Sequence, residues 1–156
     1  SKAGAGTLRL TATNTYTGPT VATAGTLALG TTGALPTASP VFLSGGTLAL
    51  TAGTAPATTG TLTLTANSAV DFGTPGSATT LTFGPSPFAL WTPGATLTVF
   101  GWNGTPLTGG GTSQLFVGSS AAGLTPAQLS QITFAGYDPG AVILSTGEVV
   151  PVPEPA

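Results

Sequence analysis

A short phrase of Gly or Ala, then Thr, then Leu alternating with a small or polar residue recurs along the chain. Clear copies occupy residues 6–10, 25–29, 46–50 and 60–64, and weaker copies occupy residues 80–83, 95–99 and 114–117. Alternation with period two predicts a strand with its leucines buried on one face and its threonines on the other. The first leucines of successive copies lie roughly 14 to 21 residues apart, a near-regular interval typical of stacked repeats.

The segments between these strands carry turn chemistry. Clusters of Gly, Pro, Ser and Thr occupy residues 30–33, 36–40 and 73–76, where Gly supplies positive φ and Pro a fixed φ. This pattern predicts an all-β fold, a β-solenoid of stacked short strands in which each rung buries its leucines only against its neighbours. A β-sandwich completed by a donated strand is the alternative. Parallel pairing from rung to rung would indicate the solenoid, and antiparallel hairpins would indicate the sandwich.

One segment departs from the strand pattern. Thr125 stands as an N-cap, Pro126 occupies the first helical position, and Gln128 follows the cap by three residues. This arrangement is a capping box, which marks the start of a helix. We therefore predict a short helical turn over about residues 126–131, with strand structure returning at 132–134 and 141–144.

Charged side chains are scarce in this chain of 156 residues, which is long enough for one domain or one short run of repeats. They make up 4% of the residues, against about a quarter in ordinary soluble domains. Only Lys2 and Arg9 are basic, so the chain cannot neutralise a phosphate backbone and nucleic acid is excluded as a partner. No apolar run reaches the roughly 18 residues that a membrane-spanning helix needs, so we expect no membrane span.

The side chains of most catalytic and metal sites are missing. The chain has no His and no Cys, which excludes a Ser-His-Asp triad, an imidazole or thiolate metal site and a disulfide. We therefore expect no cofactor and no enzymatic activity. A Ser-Lys dyad would have to use Lys2, which we expect at a mobile terminus. The carboxylates fit structural positions better than a catalytic pair, since Asp71 and Asp138 stand at a strand end and in a turn sequence.

Four aromatic residues are candidates for stacking on sugar rings: Tyr16, Trp91, Trp102 and Tyr137. Trp91 and Trp102 flank a predicted strand and lie near Phe88 and Phe100 in the sequence. That position favours a core plug or cap over a binding face.

The sequence resembles two exported bacterial families. Residues 4–10, 14–18 and 21–30 resemble the autotransporter-associated β-strand repeat. Residues 67–150 resemble the region that follows such repeats in PEP-CTERM surface proteins. The segment Val152, Pro153, Glu154 and Pro155 contains that family's Pro-Glu-Pro motif. The resemblance implies an extracellular or cell-surface location and cleavage near the motif by an exosortase-type enzyme. It implies that the chain is a mature product. The sequence begins without Met, so we expect Ser1 to follow a removed export segment, although an arbitrary sequence boundary would look the same.

With this resemblance the chain divides into three predicted segments. Residues 1–78 hold the autotransporter-associated repeats, residues 79–150 form a C-terminal β module that continues the same core, and residues 151–156 form a Pro-rich tail.

Two functions remain open from the sequence. The first is a structural subunit that polymerises with itself into an extracellular filament or surface layer, since a solenoid ends in open strand edges and this chain has little charge to blunt them. The strand containing Leu8 and Leu10 is the candidate assembly strand. The second is a monomeric surface or matrix protein that binds polysaccharide through the four aromatic residues.

Overall fold

The chain folds into two β-sheets and one helical turn, seen in a computed structural model that describes residues 1–51, 57–74 and 79–154. The first sheet has six strands in the order β1 (Thr7–Leu10), β3 (Thr26–Leu29), β5 (Thr47–Leu50), β7 (Ser68–Asp71), β9 (Leu97–Phe100) and β11 (Ile132–Phe134). The second has seven strands in the order β12 (Ala141–Ile143), β13 (Glu148–Pro151), β10 (Ser113–Val117), β8 (Thr79–Gly84), β6 (Ala57–Ala66), β4 (Val41–Ser44) and β2 (Thr20–Ala22). The helix α1 spans Pro126–Leu129.

Successive strands alternate between the two sheets from β1 to β12. Neighbouring strands are parallel throughout the first sheet and from β2 to β10 in the second. One strand from each sheet therefore forms a rung, and the rungs stack along one axis. The parallel pairing confirms the all-β solenoid and not the sandwich. Among the named strands, antiparallel pairing joins only β13 to β10 and β12 to β13, at the C-terminal end.

A row of inward-facing apolar side chains runs through the first sheet. Its members on adjacent strands are Leu8, Leu27, Leu48, Val70, Val99 and Phe134. From Leu27 to Phe134 none of these side chains is more than 3% exposed. Because strands in a sheet lie about 4.8 Å apart, each inner member of the row, from Leu27 to Val99, is covered by the rungs on either side of it. The core therefore lies between the sheets and depends on stacking.

The rung is longer than the near-even spacing of the sequence phrases indicates. Row neighbours are 19 residues apart at Leu8 and Leu27 and 35 residues apart at Val99 and Phe134. The phrase at 60–64 explains the difference, because its Leu62 pairs with Val41 in the second sheet. The first three phrases lie in the first sheet and the next two in the second, so the leucine interval equals one rung from Leu8 to Leu48 and is shorter than one rung further along the chain.

The predicted helical turn forms around the predicted capping box. The hydroxyl of Thr125 accepts a hydrogen bond from the Gln128 backbone N–H (3.2 Å), and the Thr125 N–H donates to the Gln128 side-chain oxygen (2.8 Å). The helix ends at Leu129, two residues before the predicted end, and β11 begins at Ile132.

The division predicted at residue 78 coincides with no break in the sheets. Strand β6 pairs with β8, and β7 pairs with β9, so strands from both sides of this point are neighbours. Buried residues from both sides also belong to one apolar cluster. Residues 75–78 lie outside the described part of the chain. The division into 1–78, 79–150 and 151–156 remains a prediction.

The stacked row predicts that substitutions at two adjacent positions of β5 differ greatly in their effect on stability. Leu48→Ala removes a fully buried side chain and should lower the free energy of unfolding by about 2–5 kcal/mol, because the neighbouring rungs cannot close the cavity. Thr47→Ala changes an outward side chain of the same strand and should cost about 1 kcal/mol or less. Urea denaturation measures both, and equal losses would contradict the inward row.

Candidate assembly site

The N-terminal end of the solenoid leaves a strand edge uncovered. Strand β1 is the outermost strand of the six-stranded sheet and pairs on one side with β3. Leu8 is 44% exposed, whereas its row neighbour Leu27 is 3% exposed. The apolar row that is sealed in the inner rungs is therefore open at β1. In the described chain the outer edge of this strand faces no other strand, a feature that favours pairing with another chain.

An apolar groove of about 190 Å³ lies beside β1 at this end. Both residues of the predicted assembly strand, Leu8 and Leu10, line it. At its rim the Tyr16 hydroxyl and the Thr20 hydroxyl lie 2.6 Å apart and share a hydrogen bond. The remaining lining residues are Ser1, Lys2, Pro19 and Leu27. The open end is thus a concave apolar surface next to a free strand edge.

The neighbouring edge, that of β2, is covered by the start of the chain. The Lys2 N–H donates to Val21 O (2.6 Å), and the Thr23 N–H donates to Lys2 O (2.9 Å). The Lys2 ammonium donates to the backbone oxygens of Ala3, Gly4 and Ala24 at 2.6–3.1 Å, and Lys2 is 7% exposed. The expectation of a mobile Lys2 is therefore wrong. All three ammonium N–H groups have backbone carbonyl acceptors, so Lys2 holds the first rung together.

At the C-terminal end the outermost strand of the first sheet, β11, is covered. After β11 the chain turns back, so that Thr133 bridges Pro139 and the Gly140 N–H donates to Ile132 O (2.9 Å). Phe134, the last member of the apolar row, is 0% exposed, in contrast to the 44% of Leu8 at the other end. The first sheet therefore ends differently on its two sides: its apolar row is open at β1 and covered at β11.

The four candidate sugar-stacking aromatics do not form one surface. Trp102 is 8% exposed and packs edge-on against Phe134 and Tyr137, with ring centroids 5.5 and 5.6 Å apart. Trp91 is also 8% exposed, and its indole N–H donates to a backbone oxygen in β6. Tyr16 lies at the open end. The structure brings together only Trp102 and Tyr137 of the four, in a packing role that closes the C-terminal end.

Two carboxylates have structural hydrogen bonds. Asp71, at the end of β7, accepts from the Gly73 N–H (2.8 Å). Glu148 is 4% exposed and accepts from the Gly110 N–H at 3.0 and 3.2 Å. The sequence analysis gave Glu148 no role. The run of three glycines at 109–111 could have indicated a loop shaped around a buried group, and in the structure all three have positive φ. A Cβ on Gly109 would collide with the Glu148 carboxylate.

The most exposed large apolar side chains were missed by sequence reasoning. Phe88 is 94% exposed and Leu90 is 89% exposed, both on the loop between β8 and β9. The available signal was their position among Pro85, Pro87 and Pro93. So many prolines exclude a central strand, and these side chains therefore had no sheet face to be buried on.

The predicted processing motif begins where the sheet ends. Strand β13 stops at Pro151, Val152 is half-buried, and Pro153 and Glu154 are exposed. Pro155, the last residue of the motif, lies outside the described residues.

A parallel two-sheet solenoid with one rung repeated along its axis defines a stacked-repeat protein. Residues 1–29, which contain β1 to β3, match the family model of the passenger-associated-transport-repeat. This match supports autotransporter-associated β repeats in the N-terminal part of the chain, and it indicates an extracellular or cell-surface location. No curated protein and no solved structure matches the chain. In the described ranges no helix has the length and apolar character needed to cross a membrane.

The closed end predicts that Trp102 acts in stability. Trp102→Ala should lower the free energy of unfolding by about 3–5 kcal/mol, because the ring packs on Phe134 and Tyr137. Tyr16→Ala removes a side chain that is 39% exposed and should cost clearly less. Urea denaturation of the two variants checks this difference. A Trp102→Ala variant with unchanged stability that loses binding on a glycan array would instead support the sugar-contact hypothesis.

Proposed function

We propose that this protein is an exported structural protein, without enzymatic activity, that assembles with itself into an extracellular filament or surface layer. The observation that carries the proposal is the open apolar end formed by β1, where the row that every inner rung buries remains uncovered at Leu8. The repeat match at residues 1–29 supports the surface location of such an assembly.

The free strand edges favour a specific relation between successive copies. The outermost strands of the two sheets are β1 and β11 in the first and β12 and β2 in the second. Of these, β2 is covered by the Lys2 segment and β11 by the turn that contains Pro139. The edges without such cover are therefore β1 at one end and β12 at the other, and they belong to different sheets.

A half-turn about the solenoid axis brings these two edges together. Within a rung the chain runs in one direction in the first sheet and in the opposite direction in the second. A copy rotated by half a turn therefore places its β1 above the partner's β12, and the two strands run parallel. The contact would extend the seven-stranded sheet of one copy into the six-stranded sheet of the next. Because the surfaces in contact differ and each copy is displaced along the solenoid axis, the contact does not close on itself and produces a filament.

The low charge of the strand edge at β1 supports self-assembly better than it supports a soluble monomer. A monomer with an exposed edge is expected to carry charge or Pro on that edge, whereas β1 has the sequence Thr-Leu-Arg-Leu, with a single charged residue. A contact through one strand edge buries little surface area compared with the roughly 1,200–2,000 Å² that a stable interface buries. Assembly should therefore need the high local concentration of a cell surface.

We also propose that the end of the chain is a processing site. Pro153 and Glu154 are exposed beyond the last strand, so a protease of the exosortase type could reach them without unfolding the solenoid. This part of the proposal rests on the resemblance to PEP-CTERM proteins.

Placing a charge at the open end should prevent assembly. Leu8→Arg introduces a guanidinium at the groove and the free edge, where a docked copy would desolvate it. We expect wild-type protein concentrated in solution to form filaments or sheets in electron micrographs and to sediment as large particles. The Leu8→Arg variant should remain small under the same conditions.

Thr58→Arg is the matched control, since it adds the same charge at an exposed position of β6, away from the open end. This variant should assemble as the wild type does. Filaments formed equally by Leu8→Arg, or a wild-type chain that remains monomeric at every concentration, would contradict the proposal.

A further inference from the structure

The few charged side chains of this chain are separated by sign along the solenoid. Both basic residues, Lys2 and Arg9, lie within the first ten residues, on the segment that covers β2 and on β1. The first carboxylate is Asp71, in the inner strand β7, and the other three follow at residues 138, 148 and 154. The N-terminal end therefore carries positive charge and the C-terminal end carries negative charge.

Arg9 is the available cation at the open end. It is an exposed residue of β1, between Leu8 and Leu10, whereas Lys2 is buried and uses its three donors on backbone oxygens. The Arg9 side chain lies beside Gly30, where an added Cβ would meet its Nε at 2.9 Å. Within the described ranges Arg9 forms no ion pair and donates no hydrogen bond. The guanidinium is therefore free to turn towards a chain that pairs with β1.

Asp138 is the available carboxylate at the other end. Glu148 is buried and accepts a backbone N–H, and Glu154 lies beyond the last strand. Asp138 is half-buried on the turn that covers β11, next to Pro139, which bridges that strand. In the part of the chain that the structure describes, nothing donates to its carboxylate. A half-buried carboxylate without a donor is poorly satisfied, so a cation from another chain would stabilise it.

Asp138 also lies close to the edge that end-to-end docking uses. Strand β12 begins at Ala141, three residues after Asp138, and three residues of extended chain span at most about 10 Å. In the contact proposed above, β1 of one copy lies against β12 of the next. That contact brings Arg9 into the neighbourhood of Asp138, and the long arginine side chain is suited to bridge the remaining distance.

We propose that Arg9 of one copy and Asp138 of the next form an ion pair across the end-to-end contact, and that this pair fixes its head-to-tail direction. The pair rests on the self-assembly proposed above and identifies the charges that select the docking end. The competing arrangement, β1 against β1, would bring two Arg9 guanidiniums into one contact, where like charges repel. The open end therefore receives the C-terminal end of a second copy and rejects its N-terminal end.

The first experiment measures how salt affects assembly. Raising the salt concentration from about 0.01 M to about 1 M shortens the Debye length from about 30 Å to about 3 Å, which screens an ion pair. Sedimentation should therefore show that the wild-type chain assembles at a lower protein concentration in low salt than in high salt. Asp138→Asn should lose most of this difference. Asp71→Asn, the matched control, removes the same charge from an inner strand and keeps an oxygen to accept from the Gly73 N–H, so it should retain the difference.

The second experiment reverses the two charges. Arg9→Glu alone and Asp138→Arg alone should each raise the protein concentration needed for assembly by roughly fivefold or more, because each places like charges in one contact. The two changes combined in one chain should restore assembly, since opposite charges meet again at every contact. A mixture of the two single variants should also assemble, because an alternating filament joins opposite charges throughout.

The matched control for the reversal combines Arg9→Glu with Asp71→Arg. This double variant has the same net charge as the restored one, but its new cation lies on β7, away from both ends. It should assemble no better than Arg9→Glu alone. Circular dichroism checks that every variant folds, as expected for side chains that are exposed or half-buried.

Each result decides for or against the pair. Recovery by the double reversal and by the mixture, without recovery by the control, supports it. Single reversals that assemble as the wild type does, a double reversal or mixture that fails to recover, a control that recovers, or assembly unaffected by salt overturns the pair. In these cases the end-to-end contact, which Leu8→Arg tests separately, is left standing. A wild-type chain that never assembles overturns both.

Discussion

The fold depends on one requirement: an inward leucine is covered only when a rung lies on each side of it. Strands of three to six residues supply most of the rungs, and none of them could bury its own apolar face alone. The row from Leu27 to Phe134 shows the consequence, with every member almost completely buried. Turns rich in Gly and Pro hold the strands in register. The threonines on the outer face are in contact with solvent and are not part of the core.

The same requirement makes the two ends of the solenoid different. At the C-terminal end an antiparallel hairpin and the ring of Trp102 cover the last rung, and Phe134 is sealed. At the N-terminal end the Lys2 segment covers only the edge of β2, and Leu8 remains open beside β1. Arg9 is the one charged residue of β1. Phe88, on the loop between β8 and β9, is a second exposed apolar side chain.

The sequence predicted the parts of the structure that local rules determine. The Gly-Thr-Leu phrases located strands in both sheets, and the capping box located the helical turn, because each depends on residues close in sequence. Strands β2, β4 and β13 carry no such phrase and were not predicted, and β7 was indicated only by the strand end expected at Asp71. A strand of three or four residues without the phrase shows too little alternation to be recognised. The open end was foreseen at Leu8 and Leu10. The fixed position of Lys2 could not be foreseen, because it depends on chain segments brought together by the stack. For Glu148 and Phe88 the sequence offered only indirect signals, the glycines at 109–111 and the prolines around residue 88.

The most direct test of the central claim compares the two ends of the stack by thiol reactivity. A Leu8→Cys variant should react rapidly with a maleimide in dilute solution and become protected as the protein concentration rises. An Ile132→Cys variant in β11, the last strand of the first sheet, should stay protected throughout. Equal reactivity at both ends, or a Leu8→Cys rate that does not depend on concentration, would contradict an open first rung that is covered by a second copy.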